Sequence, residues 1–339
     1  MTSKLEQMAY KMQPAGHEEQ PQKRKNTQPR SKLAEIFEKW LKEAPSNLDI
    51  GNFNTTQKLY KGAEAALTGL KPSLEELHGL LLGFADHPHI QAAGFFLSAT
   101  YNTLTNKEIV YDLPIELSFL GCNLSASKIL VVKSQTGTYL GEKAQGPIVN
   151  LSETGHFAGS HAEAPLINYG VAGASFGSME KSVSINYGKT LHDFNGGPVA
   201  INLGITGAGF GSHVTKFAIN YGVAGEEMAS SQDSGDMAIN CGKAGKDFGK
   251  ESPGILIAIK APRAYSDDIS NLLLKPEDCK KIPKLARYFE KLRTKLEEGR
   301  NDYHKAIRIA KQLNVSKLER EIGSILKEAG YEWMAVDDD

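Results

Sequence analysis

Two kinds of polar residue recur in this sequence at spacings that could serve chemistry. Asparagine returns at Asn150, Asn168, Asn186, Asn202, Asn220 and Asn240. A column of amides can act in two ways. Stacked along a rod, each side chain hydrogen-bonds the next as a structural ladder. Presented outward, the same column is a row of ligand-binding amides. Basic residues gather later. From Lys280 to Arg320 stand 13 Lys/Arg against 5 Asp/Glu, a net of +8, whereas Ser134 to Ala258 carries 7 Lys, no Arg and 11 Asp/Glu, a net of −4. Lys280, Lys281, Lys284, Arg287, Lys291, Arg293 and Lys295 are therefore candidate contacts to a nucleic-acid backbone. The competing reading is a solvated face, or helices lying on an acidic rod.

Other polar groups converge less. Asp86-His87-Pro88-His89 has the look of metal ligands, but no third or fourth ligand stands at a suggestive distance, and a loop explains it. His156, His161, His192 and His213 do not share a repeat position. Glu153, Glu163, Glu180, Asp193, Glu226, Glu227 and Asp247 are scattered, whereas glycan cleavage needs carboxylates grouped about one bond. The acidic loop Ser230 to Asp236 misses the EF-hand spacing. P-loop, G-x-S-x-G, H-E-x-x-H and CxxC patterns do not occur. No catalytic residue, cofactor or metal ligand is assigned.

The elements that carry these residues follow from the repeat. With Val132 and Ala258 in register at its ends, the asparagine column advances by 18, 18, 18, 16, 18, 20 and 18 residues. A period this short marks a stacked array of β coils, since paired-helix repeats need over ~30 residues. Before the asparagine stand Val131, Val149, Ile167, Ile185, Ile201, Ile219, Ile239 and Ile257; after it stand Tyr169, Tyr187, Leu203, Tyr221 and Cys241. This period-2 pattern predicts a strand whose Ile and Val columns face the interior. Asparagine and its neighbours Ser184, Ala200, Ala218 and Ala238 then face outward, a flat surface open to the chain's own helices or to a partner. Gly170, Gly188, Gly204, Gly222 and Gly242 turn the corner. A second inward anchor follows eight residues after the asparagine at Phe176, Phe194, Phe210, Met228 and Phe248, and seven after it at Tyr139 and Phe157. Seven coils at ~4.8 Å make a rod of roughly 35 Å.

The phrase Gly-x-Ala-Gly-x-x-Phe-Gly, at Gly170 to Gly177 and again at Gly242 to Gly249, resembles the GXGXG β-solenoid. That domain ends the large chain of glutamate synthase and makes up much of one of the chains of formylmethanofuran dehydrogenase. The resemblance covers about residues 130–260. The family's paired glycines survive only as Gly196-Gly197, and the asparagine column is an addition. The resemblance implies a non-catalytic scaffold and transfers no catalytic residue.

The expected fold class is α+β: a single-stranded β-solenoid of about seven 18-residue coils between helical regions. Residues 1–30, with the cluster Lys23-Arg24-Lys25 and Arg30, are too polar to bury a core. Helices are expected across 31–104, opening near Ser31, after Phe53, at the capping box Ser73-x-x-Glu76 and near Ile90. They should protect the first coil's open edge. The solenoid spans 105–262. The C-terminal helical region is 263–332, with a short helix at Asp267–Leu274, then helices marked by Leu285, Phe289 and Leu296, by Tyr303 and Ile307, and a last one capped by Ser316-x-x-Glu319. Residues 333–339 are an acidic tail. Cys122, Cys241 and Cys279 are too few and scattered for a disulfide framework. No 18-residue apolar run occurs, and a cytoplasmic protein is expected. The expected function is a non-enzymatic scaffold or protein-interaction module whose partner is another protein. The alternatives are a nucleic-acid or ribonucleoprotein accessory protein and a carbohydrate-active β-helix.

Overall fold

The strands pair parallel and in register, so that like residues lie on like. The computed structural model describes residues 31–44, 53–178, 181–194, 197–212, 216–230, 236–267, 272–313 and 315–331. The basic segment 1–30, the acidic end 333–339, His213, Glu180 and the core of the Ser230–Asp236 loop lie outside the described residues. The fold is a parallel β-solenoid of about eight turns with helices flanking it on both sides in sequence. Its main sheet runs through β1 (Glu108–Tyr111), β2 (Ile129–Val132), β3 (Ile148–Asn150), β5 (Leu166–Asn168), β7 (Val183–Asn186), β9 (Val199–Asn202), β11 (Phe217–Asn220), β12 (Met237–Asn240), β13 (Ile255–Ala258) and β14 (Leu273–Leu274). A second sheet of short strands joins β4 (Glu153–Thr154), β6 (Val171–Ala172), β8 (Lys189–Thr190) and β10 (Ile205–Thr206). Isolated bridges extend it through Val223 and Lys243.

The faces of the main sheet are the reverse of the expectation. The Ile and Val column points out of the coil, and the asparagines and alanines point in. Val149, Ile167, Ile185, Ile201, Ile219, Ile239 and Ile257 share a core with the C-terminal helices. Leu130, Ile148, Leu166, Ala200, Ala218, Ala238 and Leu256 belong instead to the lumen, with Phe176, Phe194, Phe210, Met228 and Phe248. The reason is room. A coil of 16 to 20 residues encloses one layer of side chains, and the phenylalanines take most of it. A Cβ added at Gly211 would stand 2.5 Å from the Ala218 Cβ, so even alanine fills the opposite wall. The flat face of small residues is therefore no docking surface; it is the inner wall.

The second anchor keeps a constant offset of eight. In the early coils the inward residues are Leu140 and Ala158, buried at 0% and 1% exposure. Tyr139 and Phe157 sit one position earlier, at left-handed φ of 59°, and turn outward. Their rings continue a stack from the N-terminal helices: Phe95 to Phe119 at 4.4 Å, Phe119 to Tyr139 at 4.9 Å and Tyr139 to Phe157 at 5.0 Å. Volumes compensate across much of the lumen: large Ile148 accompanies Ala158, and small Ser184, Ala200 and Ala218 accompany Phe194, Phe210 and Met228, whereas Leu130 with Leu140 and Leu166 with Phe176 are large on both sides.

Helices α1 (Lys32–Glu43), α2 (Phe53–Ala66), α3 (Leu74–Gly83) and α4 (Ala93–Thr103, after a 3₁₀ turn at Ile90–Ala92) precede the coils. Ser73 and Glu76 form the expected capping box. Helix α4 is buried continuously from Ala93 to Tyr101, which accounts for its all-round apolar sequence. Its Ser98 hydroxyl accepts the Cys122 N–H at 3.1 Å, seating it on the first coil.

Beyond the coils come α5 (Pro276–Lys281), α6 (Pro283–Glu297), α7 (Tyr303–Gln312) and α8 (Val315–Glu328). Leu273–Leu274 is a strand pairing with β13, not the end of a helix, so the sheet passes residue 262. Ser316 lies inside α8, one residue past its first, rather than ahead of it at the cap. Leu285, Phe289, Leu292 and Leu296 of α6, with Ile307 and Ala310 of α7 and Leu318, Ile322 and Leu326 of α8, cover the Ile/Val column. A sheet buried on both faces explains why its strands read as nearly unbroken apolar runs. Among the described residues, no helix is long and apolar enough to cross a membrane.

Candidate functional site

The asparagine column forms a continuous internal chain of amides. Asn150 Nδ2 donates to Asn168 Oδ1 at 2.8 Å, Asn168 to Asn186 at 2.8 Å, and Asn186 to Asn202, Asn202 to Asn220 and Asn220 to Asn240 at 2.9 Å each. Asn240 ends the series on the Lys260 carbonyl at 2.7 Å. The second amide hydrogen goes to a backbone carbonyl of the following coil, as from Asn202 to Val223 at 3.1 Å and Asn220 to Lys243 at 2.8 Å. All six side chains are at 0% exposure, so they present nothing to a ligand. Their geometry stiffens the corner between the two sheets.

The C-terminal layer is fastened to the rod by tyrosines. Tyr187 donates to the Leu296 carbonyl at 2.6 Å and Tyr221 to the Phe289 carbonyl at 2.9 Å; Tyr169 donates to Gly299. Burial, above all, raises these phenols well over the usual tyrosine range. Arg300 lies over the Tyr187 ring at 5.6 Å and donates to the Leu203 carbonyl at 3.1 Å. It also pairs with Glu297, whose carboxyl its hydrogen bond holds below the usual range. At the near end Tyr303 donates to Glu108 Oε1 at 3.0 Å, fixing α7 to the first strand.

The basic residues divide by face. Lys284, Arg287, Lys291 and Lys295 are exposed and fall at helical spacing, opposite buried Leu285, Phe289, Leu292 and Leu296. Arg293 lies on the helix flank, half-buried. Lys280 and Lys281 are exposed on α5, with Lys281 paired to Asp278 at 3.2 Å. Lys284 pairs with Glu328 of α8, and Lys295 donates to Gln312 at 3.0 Å. The stripe is thus one surface, partly neutralised by neighbours.

The remaining polar candidates do not assemble. His89 Nδ1 donates to the Ala44 carbonyl at 2.7 Å and holds the end of α1, while His87 Nδ1 accepts the His89 N–H at 3.2 Å. His156 accepts the Ala174 N–H, and His161 meets Ser160. Glu163 pairs with Lys181 at 3.1 Å and Glu227 with Lys250 at 2.9 Å. Among the described residues no three His, Cys, Asp or Glu side chains are grouped to hold a metal ion.

One surface escaped the sequence reading. The outward column of the second sheet is Glu153, Val171, Lys189, Ile205, Val223 and Lys243. Ile205 is 52% exposed, Val223 40% and nearby Leu191 39%. The signal was there: these residues stand three after each asparagine (in Val171, Lys189, Ile205, Val223 and Lys243), one step past the corner glycine. Comparison with protein families, curated proteins and solved structures yields no match to this chain.

Proposed function

We propose that the protein is a rigid, non-enzymatic scaffold that docks a protein partner on the outer face of its second sheet. The observation that carries this reading is the apolar group Leu191, Ile205 and Val223 on adjoining coils of that face. Scattered exposed apolar residues are ordinary, but a contiguous group on a stiff β face favours burial by a partner. Stiffness is supplied by the amide ladder inside and the helical layer behind. The test places a photo-crosslinking residue at position 205 and captures neighbours from the native host. Val223→Glu should abolish the specific crosslinked band while the melting curve stays near wild type. A band unaffected by Val223→Glu and Leu191→Glu together counts against the reading.

The stripe Lys284, Arg287, Lys291 and Lys295 favours a second reading, an accessory protein for nucleic acid. Phosphate contacts release counterions, so retention on duplex would fall with salt at a log–log slope of about −0.9 per phosphate engaged. Charge reversal at Arg287 and Lys291 should flatten that slope. Retention that ignores salt rejects it.

A further inference from the structure

Glu142 breaks the pattern of its own column. The residues stacked with it at the left-handed corner are Cys122, Ser160, Ser178, Ser212 and Ser230. All are small, and the other long member, Lys250, stands at the far end with its side chain 40% exposed. Glu142 is only 7% exposed, and its Oε2 has no hydrogen-bond partner. Its backbone is fully used, with N–H to Tyr139 and C=O to Asn123. Burial raises its carboxyl above the usual range, and Lys143 acts against that. A buried carboxylate without a donor is costly, and serine at this corner would avoid the cost.

The exception lies in a cleft of about 190 Å³ between α2 and the corner, walled by Gln57, Tyr60, Lys61 and Glu64 from α2 and by Asn123 and Lys143 from the coils. The walls are pinned. Tyr60 accepts from Asn102 Nδ2 at 2.8 Å and keeps its own proton, directed at Glu64, while Asn102 also donates to the Asn123 carbonyl at 2.9 Å. The Glu142 carboxyl and the exposed Lys61 thus line one preformed space as groups of opposite charge, with Glu64 beside Tyr60 and Lys143 beside Glu142 in the same lining.

We propose that this cleft binds a small zwitterion of the α-amino-acid class, its ammonium group on Glu142 and its carboxylate on Lys61. The size agrees: drug-sized ligands occupy pockets of ~300–1,000 Å³, and this one admits only a few heavy atoms. A turn about the last side-chain bond, where the torsional wells are broad, brings the unpaired oxygen to the ligand.

Calorimetric titration of the full chain with glycine tests the assignment, with methylamine and acetate as half-probes. Glycine should saturate, and each half-probe should bind more weakly. Glu142→Gln and Lys61→Met should each weaken glycine by roughly tenfold, the scale of one charge-assisted contact. Glu142→Ser, which restores the residue type of the column, should melt no lower than wild type and lose glycine. The proposal is overturned by absence of saturable glycine binding at millimolar concentration, by methylamine binding as tightly as glycine, or by glycine binding that ignores Glu142→Gln. It is also overturned if Glu142→Ser melts well below wild type, since the carboxyl would then serve the fold itself.

Discussion

The Tyr187 hydroxyl meets the Leu296 carbonyl at 2.6 Å across 109 residues of sequence. Two coils further along, Tyr221 meets Phe289, seven residues earlier in the same helix. Seven helical residues rise ~10.5 Å, and two coil spacings span ~9.6 Å. The heptad of α6 therefore keeps step with every second coil, and its axis follows the rod. The Leu296 carbonyl also receives the Gly299 N–H, so removing the phenol does not orphan it. Tyr187→Phe should cost about 0.5–1.5 kcal/mol in chemical denaturation. A loss above ~3 kcal/mol would mean that the hydroxyl holds more than this one bond.

The same phenols set an alkaline limit. Burial raises Tyr187 and Tyr221 in the folded chain. A raised folded value means the native state holds the proton more tightly. The contribution is complete below the unfolded tyrosine value of ~10 and is lost as pH climbs through the higher folded value. Melting temperature should therefore fall above about pH 10. The Tyr187→Phe, Tyr221→Phe double variant should fall less steeply. Parallel slopes would exclude the two phenols as the cause.

The amide ladder predicts unequal rungs. Asn202→Leu removes the acceptor of Asn186 and the donor to Asn220 together, both at 0% exposure. Each buried group left unmatched costs about 1–3 kcal/mol. Asn150 begins the series, with Val132 behind it. Asn150→Val should be the milder change, and equal losses of stability at the two positions would contradict a directional ladder.

Glycine substitutions should separate by location. A Cβ at Gly204 would stand 2.0 Å from the Gly188 carbonyl oxygen of the previous coil, and Gly170, Gly222 and Gly242 show the same approach at 1.8 to 2.2 Å. Gly204→Ala must push two coils apart and should cost at least ~1–3 kcal/mol, the range for overpacking. Gly79 of α3 has open space around it, and Gly79→Ala should stabilise by up to ~1 kcal/mol. Thermal melts of the two variants should move in opposite directions.

The period was legible because strict spacing survives in the letters: Asn, Gly and Phe return at fixed offsets. Which side of the strand faced inward was not. Ile185 and Ile201 are larger than Ser184 and Ala200, and a rule that puts the larger column inside chose wrongly. The lumen was already filled by Phe194 and Phe210, and the isoleucines had another apolar surface waiting in α6 to α8. Tyr139 and Phe157 misled for a related reason, since an aromatic one residue short of the anchor looks like a shortened coil, whereas Leu140 and Ala158 keep the count. Leu273–Leu274 was too short to tell from a helical turn. Glu142 was invisible as an anomaly until the corner columns could be aligned on their left-handed residues.

The covering of the isoleucine column by α6, α7 and α8 also fixes an order of events at the ribosome. Coils from Ile129 onward can pair as they emerge, each with a neighbour about twenty residues behind. The segment that sheathes them is made after them. For the whole interval before residues beyond Pro283 leave the exit tunnel, a nascent rod carries a bare greasy flank, the kind of surface that holdase chaperones bind and that drives chains to clump.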